Sequence, residues 1–302
     1  MESHSSILVS AIITTHNRKD LLRKAINSVL CQTYDMIECI VIDDAGSDGT
    51  EDYIKDYINT GKIKYIYITK EESRGGNYAR NIGIKAATGE YVAFLDDDDE
   101  WKENKIEAQI QCISDQVGFV YSGKIVETNF EKVYDDSINR KYPEGDLSKE
   151  ILIHILTVTS TIMVKRSLLF EVGLFDENLK YWQEYDLCIR ILQKTNVSCV
   201  SSGLVLYRVI TGDKKRLSNK ISGWETSVRY IEHKYKDLIA KLSWKDRAWR
   251  RLYICIDGFN RGKTSKSYKY MVKYGIVYPM MHPGIIVAFI VKTIKYVGRQ
   301  LI

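Results

Sequence analysis

Residues 94–101 read FLDDDDEW, so Asp96, Asp97, Asp98, Asp99 and Glu100 follow directly on the apolar run YVAFL. Adjacent carboxylates at the end of a buried strand repel one another and must be solvated or neutralised. Asp96 and Asp98, one residue apart, can offer hard oxygen ligands to Mg²⁺ or Mn²⁺, ions that keep positions open for phosphate oxygens. A metal there would neutralise the acids and take up charge developing on a diphosphate leaving group. On this reading the neutralising charge arrives with the ligand rather than from the chain. A second acid pair, Asp43-Asp44, closes the run CIVI, and Thr14-Thr-His-Asn17 closes the run ILVSAII. A calcium loop starting at Asp44 fails at its third position, Gly46, and at its twelfth, Lys55, where a bidentate glutamate is needed. The chain has no Walker A sequence, and Arg74-Gly75-Gly76 lacks the full dinucleotide fingerprint, so neither a P-loop ATPase nor a nicotinamide enzyme is indicated. The six cysteines form no CxxC and no zinc spacing, and read as reduced thiols.

The elements that must position these residues alternate. Residues 7–14 read as a strand. Asn17 with Asp20 three residues on reads as a helix cap, ahead of Leu21, Leu22, Ala25, Ile26, Val29 and Leu30 at helical spacing. Strands at 39–42, 63–68 and 91–95 alternate with helices through Tyr53–Ile58 positions and from Gly76 to Ala86. This alternation predicts an α/β fold, a Rossmann-like, mainly parallel sheet flanked by helices. Ligands of such sheets bind outside the carboxyl ends of the strands, where the polar clusters lie. Further on, the pattern predicts a helix over 102–113, strands within 117–126 and 160–164, and a helix over 184–192 with Leu187, Ile191 and Leu192 inward. Residues 128–146 and 202–220 read as loops. Helical patterns dominate from Ile221.

Four segments, VSAIITTHNRKDLLRKAINSVLCQTY, CIVIDDAGSDGT, RGGNYARNIGIKAATGEYVAFLDDDDEW and FDENLKYWQEYDLCIRI, occur in that order between residues 9 and 191. In them the chain resembles the family 2 glycosyltransferases, inverting enzymes of the GT-A fold that use nucleotide-activated sugars. The resemblance implies that a sugar, most simply from a UDP-sugar, is moved to a hydroxyl of a glycan or lipid-linked acceptor in bacterial-type polysaccharide synthesis, in one metal-dependent displacement. It implies that Thr14, His16, Asn17 and Arg18 line the nucleotide pocket. Asp44 would accept from the base, with Asp43 the weaker alternative. Arg74 and Arg80 would contact ribose or phosphate, unless Arg80 serves a structural ion pair. Asp96 and Asp98 would match the DxD motif, with Asp98 the direct ligand of Mn²⁺ or Mg²⁺ and Asp97 in the variable middle. Asp99 and Trp101 would shape the turn. Glu184 would be the general base, where the family usually has Asp, with Asp186 in reserve. Trp182 would stack on a sugar face or serve as a core aromatic, and Gln183 would join it in the acceptor and sugar site. The rival readings are a non-catalytic nucleotide-sugar binding protein and a metal-dependent nucleotidyltransferase.

The charge is uneven. From Lys241 onward there are 13 Lys/Arg against Asp246 and Asp257, a surplus of 11, so the rest carries −6 of the overall +5. No recognition motif for nucleic acid accompanies this charge. The segment YGIVYPMMHPGIIVAFIV is uncharged but broken by Pro279, Pro283 and Gly284, which opposes a membrane span. Read as a helix from Pro283, it lines up Ile286, Phe289, Ile290, Ile294, Val297 and Leu301 opposite Lys292, Lys295 and Arg299, as an interfacial amphipathic helix does. Arg247, Arg250, Arg251, Arg261, Lys263, Lys266 and Lys269 would add attraction to anionic lipid. The alternative is a helix that packs on the catalytic domain. The N-terminus has no basic region before its apolar run, which opposes a signal peptide. The expectation is therefore a catalytic domain over 1–215, with a nucleotide-binding half at 1–100 and an acceptor-binding half at 101–215. A helical basic extension would follow over 216–302, peripheral at the inner face of the cell membrane, in a cytoplasmic protein.

Overall fold

The computed structural model describes residues 7–136, 142–210 and 223–290. The chain divides into two units. The first comprises 1–147, 157–179 and 183–211; the second comprises 148–156, 180–182 and 212–302. Two short pieces that precede the expected extension in sequence, 148–156 and 180–182, group with the second unit.

The first unit carries β1 (Val9–Thr15), α1 (Lys19–Leu30), β2 (Ile37–Asp44), α2 (Thr50–Tyr53), α3 (Lys55–Asn59), β3 (Lys64–Ile68), α4 (Gly76–Ala86), β4 (Tyr91–Asp96), β5 (Glu100–Trp101) and α5 (Lys105–Ile110). It continues with β6 (Val117–Thr128), β7 (Lys132–Asp135), β8 (Met163–Lys165), α6 (Arg166–Glu171), α7 (Gln183–Leu192) and β9 (Asn196–Val209). The sheet runs β3-β2-β1-β4-β8-β6-β9-β5, with β7 on β6. The first four strands are parallel; β8 lies antiparallel to β4 and β6, and β9 runs parallel to β6. The middle of β1 is apolar on both faces because β2 and β4 flank it and helices cover it. Val9, Ala11 and Ile13 join Leu22, Ala25, Ile26 and Val29 of α1 in one core. Each large aliphatic side chain so buried contributes about 1.5–3 kcal/mol. On the other face α4 comes close enough that a Cβ at Gly83 would lie 2.5 Å from Ile12 Cγ2.

Three local expectations differ from the structure. Residues 202–209, read as loop, complete β9: the run LVLYRV at 204–209 has strand character of its own and pairs along β6. Residues 132–135 form β7 within the stretch 128–146 for the same reason; residues 211–220 of the second expected loop lie outside the described residues. Asn17 does not cap α1. It sits in the left-handed region (φ 56°), and Asp48 Oδ2 accepts the Lys19 N–H at 3.1 Å instead. A carboxylate distant in sequence therefore satisfies the helix N-terminus.

The second unit holds α8 (Trp224–Lys234), α9 (Lys236–Ala240), α10 (Trp244–Thr264), α11 (Tyr268–Val272), a π turn (Lys273–Val277) and α12 (Tyr278–Met281). Residues 284–290 are helical as well, and Ile285 and Ala288 bury against Ala248, Leu252 and Cys255 of α10. Ile294, Val297 and Leu301 of the expected apolar face, and Lys292, Lys295 and Arg299 opposite them, lie outside the described residues. Three arginines expected to face lipid turn to the protein instead. Arg250 is buried, with Nε donating to Glu232 at 2.7 Å. Arg261 pairs with Asp257 at 3.1 Å, and Arg247 donates to the carbonyls of Ala240 and Leu242.

Candidate active site

Parallel register brings the polar strand ends together. Thr14 lies opposite Asp96 on β4 and Thr15 opposite Asp43 on β2, and neighbouring strands are about 4.8 Å apart. The three strand ends thus form one short row, as topology predicted.

The two acids ending β2 have different environments. Asp43 accepts from Tyr65 Oη at 2.9 Å and from the Gly46 amide at 2.9 Å. Burial pushes its carboxyl up, against the pull of the Tyr65 hydroxyl. A Cβ at Gly46 would stand 2.5 Å from Asp43 Oδ1, so this turn requires glycine. Asp44 is also buried, but its Oδ1 accepts no hydrogen bond among the described residues. A buried acceptor without a donor carries a desolvation cost, and a ligand N–H can relieve it. Beside it His16 Nδ1 donates to the Asp44 carbonyl at 2.6 Å, which leaves Nε2 to accept from Asn17 Nδ2 at 3.1 Å. Asn17 Oδ1 accepts the Ser47 amide at 2.7 Å. Asn17 and Ala45 both hold positive φ, 56° and 60°, and such strain collects at functional sites.

The acids ending β4 are held by distant donors. Arg80 Nη2 lies 2.6 Å from Asp96 Oδ1, and its guanidinium rests over the Phe175 ring. Arg18 Nη1 reaches Asp97 Oδ1 at 3.1 Å and Asp98 Oδ2 at 3.3 Å. Asp97 also accepts from Thr15 Oγ1 at 2.8 Å. Burial, then the charge of Asp98, pushes the Asp97 carboxyl up to about 6 against the opposing Arg18 charge. Asp99 is completely enclosed, accepting from Ser160 Oγ and from the Arg208 amide. Burial and the neighbouring charges of Asp98 and Asp96 raise its carboxyl well above the ordinary range. Arg208 binds Glu127 at 2.6 Å and Glu100 at 2.5 Å. The expectation that a bound ion alone would neutralise these acids is thus corrected: Arg18, Arg80 and Arg208 supply positive charge from positions far apart in sequence.

One carboxylate oxygen each from Asp96, Asp98 and Asp99 lies within 4.8 Å of the others. Three hard oxygen donors so grouped fit a Mg²⁺ or Mn²⁺ ion, with Asp99 added to the pair expected from sequence.

The segment before α7 is tied to the same cluster. Asn77 Nδ2 donates to the carbonyls of Asp176 and Leu179 at 2.8 and 2.7 Å, and Asn81 exchanges hydrogen bonds with the Phe175 backbone. Both asparagines are buried on α4, the helix that carries Arg80. Glu184 and Gln183 open α7, half-buried. Asp186 is fully buried and bound by Arg190 Nε at 3.0 Å and Nη2 at 2.6 Å, so it does not serve as a reserve base. Trp182 belongs to the second unit, where it is 3 % exposed and stands edge-on to Trp224, its Nε1 donating to Asp257. With no open ring face, it is a core aromatic and not a sugar platform. Arg74 is exposed, 5.0 Å from the Tyr78 ring.

Ser160, Arg208, Asp48, Asn77 and Asn81 were not singled out from sequence. Only the asparagines gave a signal there: two amides at i and i+4 amid the apolar positions of one helix, RGGNYARN.

A model of the family described as Glycosyl transferase family 2 matches residues 10–171. The chain belongs to glycosyl transferase family 2. An uncharacterized glycosyltransferase of Rickettsia typhi is 36% identical over 210 residues, 68% of this chain and 64% of the relative. The chain therefore spans just under two thirds of that relative's length. The Escherichia coli UDP-Glc:alpha-D-GlcNAc-diphosphoundecaprenol beta-1,3-glucosyltransferase WfgD is 29% identical over 233 residues, 75% of this chain and 87% of that protein. Among solved structures, GalNAc-T7 with UDP, GalNAc and Mn²⁺ superposes with a TM-score of 0.61 at 18% identity, covering 91% of this chain and 57% of that one. The family 2 chain has the GT-A fold.

Proposed function

We propose that this family 2 chain is an inverting glycosyltransferase that moves a sugar from a UDP-sugar to a hydroxyl of a lipid-linked glycan in polysaccharide synthesis. One observation carries the donor assignment. The unpartnered buried oxygen of Asp44 stands in the same row of strand ends as the three-carboxylate group of Asp96, Asp98 and Asp99. An acceptor awaiting a donor suits the N3–H of uracil, and the acid group suits a diphosphate that comes with a divalent ion. The donors named for WfgD and present with GalNAc-T7 support uridine, and the lipid-linked substrate named for WfgD supports the acceptor class.

Asp44 takes the base, and Thr14, His16 and Asn17 bound its pocket. Asp96, Asp98 and Asp99 would hold Mn²⁺ or Mg²⁺, which when bound neutralises charge on the departing diphosphate. Arg18 and Arg80 keep those carboxylates oriented before the donor arrives. Glu184 takes the proton of the acceptor hydroxyl as its oxygen bonds to the anomeric carbon and the bond to the diphosphate breaks, inverting that centre. The segment fastened by Asn77 and Asn81 holds α7 for this step, and Gln183, next to Glu184, contacts the acceptor sugar. The protein works in the cytoplasm, at the inner face of the membrane where such acceptors are anchored.

The test is a thermal-shift screen of nucleotides and nucleotide-sugars with and without Mn²⁺. UDP and a UDP-sugar are expected to raise the melting temperature only with the ion, and Asp98→Ala to abolish both that shift and transfer. Undiminished transfer in excess chelator removes the metal from the reading, and a shift with GDP but not UDP removes uridine.

A further inference from the structure

One side of the second unit meets water as hydrocarbon. Residues 268–281 run as one continuous helix through α11, the π turn and α12. Its inward side is set by Tyr274, which stands edge-on to Trp224 with ring centroids 5.2 Å apart and donates its hydroxyl to Glu225 at 2.8 Å. Tyr268, Val272, Ile276 and Met280 follow at four-residue spacing on the outer side, each 50–80% exposed, and Met281 adds to them. The π turn, with i→i+5 bonds, winds more loosely than an α-helix and keeps this spacing near one line. After Pro283, Ile285 and Ala288 turn inward while Ile286, Val287 and Ile290 remain about half exposed. So many large apolar side chains left exposed along one segment mark an interaction site rather than ordinary surface composition.

The charge carried by the segment itself has one sign. From residue 258 to 290 the sequence contains no Asp or Glu. Of the bases there, Arg261 and Lys273 pair with Asp257 and Glu225, whereas Lys263, Lys266 and Lys269 are exposed at the start of the apolar line. Among the described residues no helix is long and apolar enough to cross a membrane. Exposed hydrocarbon and exposed lysines on a segment with no acid of its own complement a bilayer surface bearing anionic headgroups; a protein partner would leave the one-sided charge of the segment unexplained.

We propose that the outer side of residues 268–290 lies on an anionic lipid bilayer. Val272, Ile276, Met280, Ile286 and Ile290 enter the headgroup–acyl boundary, and Lys263, Lys266 and Lys269 meet the lipid phosphates. The inference deepens the reading of a lipid-linked acceptor, on which it rests for its purpose but not for its measurement. It extends the contact upstream from the start of the terminal helix read from sequence onto the outer side of the 268–281 helix.

The full chain is sedimented with vesicles of phosphatidylcholine alone and of phosphatidylcholine mixed with phosphatidylglycerol, alongside light scattering of the lipid-free protein. Binding to the mixed vesicles, weakened by salt, is expected. Val272→Ser/Ile276→Ser/Met280→Ser lowers the partition coefficient about tenfold or more. Lys263→Gln/Lys266→Gln/Lys269→Gln lowers it about fivefold per lysine on mixed vesicles and little on neutral ones. If the triple serine variant melts early, Ile276→Ser alone and the lysine set carry the test. Failure of the folded protein to prefer the mixed vesicles overturns the proposal. So does a dimer that the serine variant dissociates, which makes a second copy the occupant. Mn²⁺-dependent UDP binding, measured on the same variants, is expected unchanged. Its loss in the parent protein, with vesicle binding intact, strikes the proposed function and leaves the lipid face standing.

Discussion

Replacing Arg18 with methionine removes one positive charge from Asp97 and Asp98 while keeping much of the side chain's bulk. The guanidinium lies 3.3 Å from Asp98 Oδ2, with 20% of the Arg18 side chain and 9% of the Asp98 side chain exposed. A divalent ion using that carboxylate must displace or tolerate the guanidinium. At an effective dielectric of about 40–80, suited to a partly exposed pair, the 3.3 Å attraction amounts to roughly 1.3–2.5 kcal/mol. Ionic screening favours the lower end, about a tenfold change in affinity. Mn²⁺ without nucleotide is therefore expected to bind Arg18→Met about tenfold more tightly than the parent, and Arg18→Lys to fall between. The assay is titration of the apoprotein, reading free Mn²⁺ by paramagnetic resonance. The sign is the decisive part, since losing a cation relieves both the competition and the direct repulsion. Equal or weaker Mn²⁺ binding by Arg18→Met refutes the view that Arg18 stands in for the ion at Asp98.

Glu184→Gln is expected to leave UDP binding intact while turnover falls by about 10²–10⁴, and near-parental turnover moves the base elsewhere. Asp97 has its folded carboxyl raised to about 6 from an ordinary 3.8, so its contribution to stability is present below the unfolded value and lost as pH rises through about 6. In the metal-free protein Asp97→Asn should be more stable than the parent by about 1–3 kcal/mol at pH 8 in urea unfolding, and the two should converge near pH 4; a constant difference across that range contradicts the assignment. Arg208→Met strands Glu100 and Glu127, and is expected to cost about 2–4 kcal/mol by the same measurement, with Glu127→Gln recovering part of the loss in the double variant.

How far sequence reached depended on the range of the interaction. The central strands were legible because residues 9–13, 39–42 and 91–95 are nearly unbroken apolar runs, and a parallel strand covered on both faces needs that composition. The acids at their ends were legible because carboxylates following such runs have no structural economy of their own. β9 escaped the sequence reading because the apolar run LVLYRV at 204–209 leads on into the polar GDKKRLSNK, and only the pairing with β6 separates strand from expected loop. The cap of α1 was misread for a similar reason. Asn17 has the right type and spacing, but Asp48 reaches the Lys19 amide and Asn17 is turned to Ser47.

Sequence by itself determined the alternating architecture, the row of polar strand ends and the acids that end β4, because these follow from local periodicity and adjacency along the chain. Tertiary structure alone decided what each acid does. Asp43 and Asp44 are neighbours of one residue type, yet one is spent on Tyr65 and Gly46 while the other keeps an oxygen open. Asp186 and Glu184 are two residues apart, and helical rotation buries the first against Arg190 while the second stays half-exposed. Trp182 is sealed in the core of the second unit. Arg18, Arg80 and Arg208 converge on one acidic cluster from three distant positions. Charge falls off with distance in space and not along the chain, so that convergence exists only once the sheet has closed.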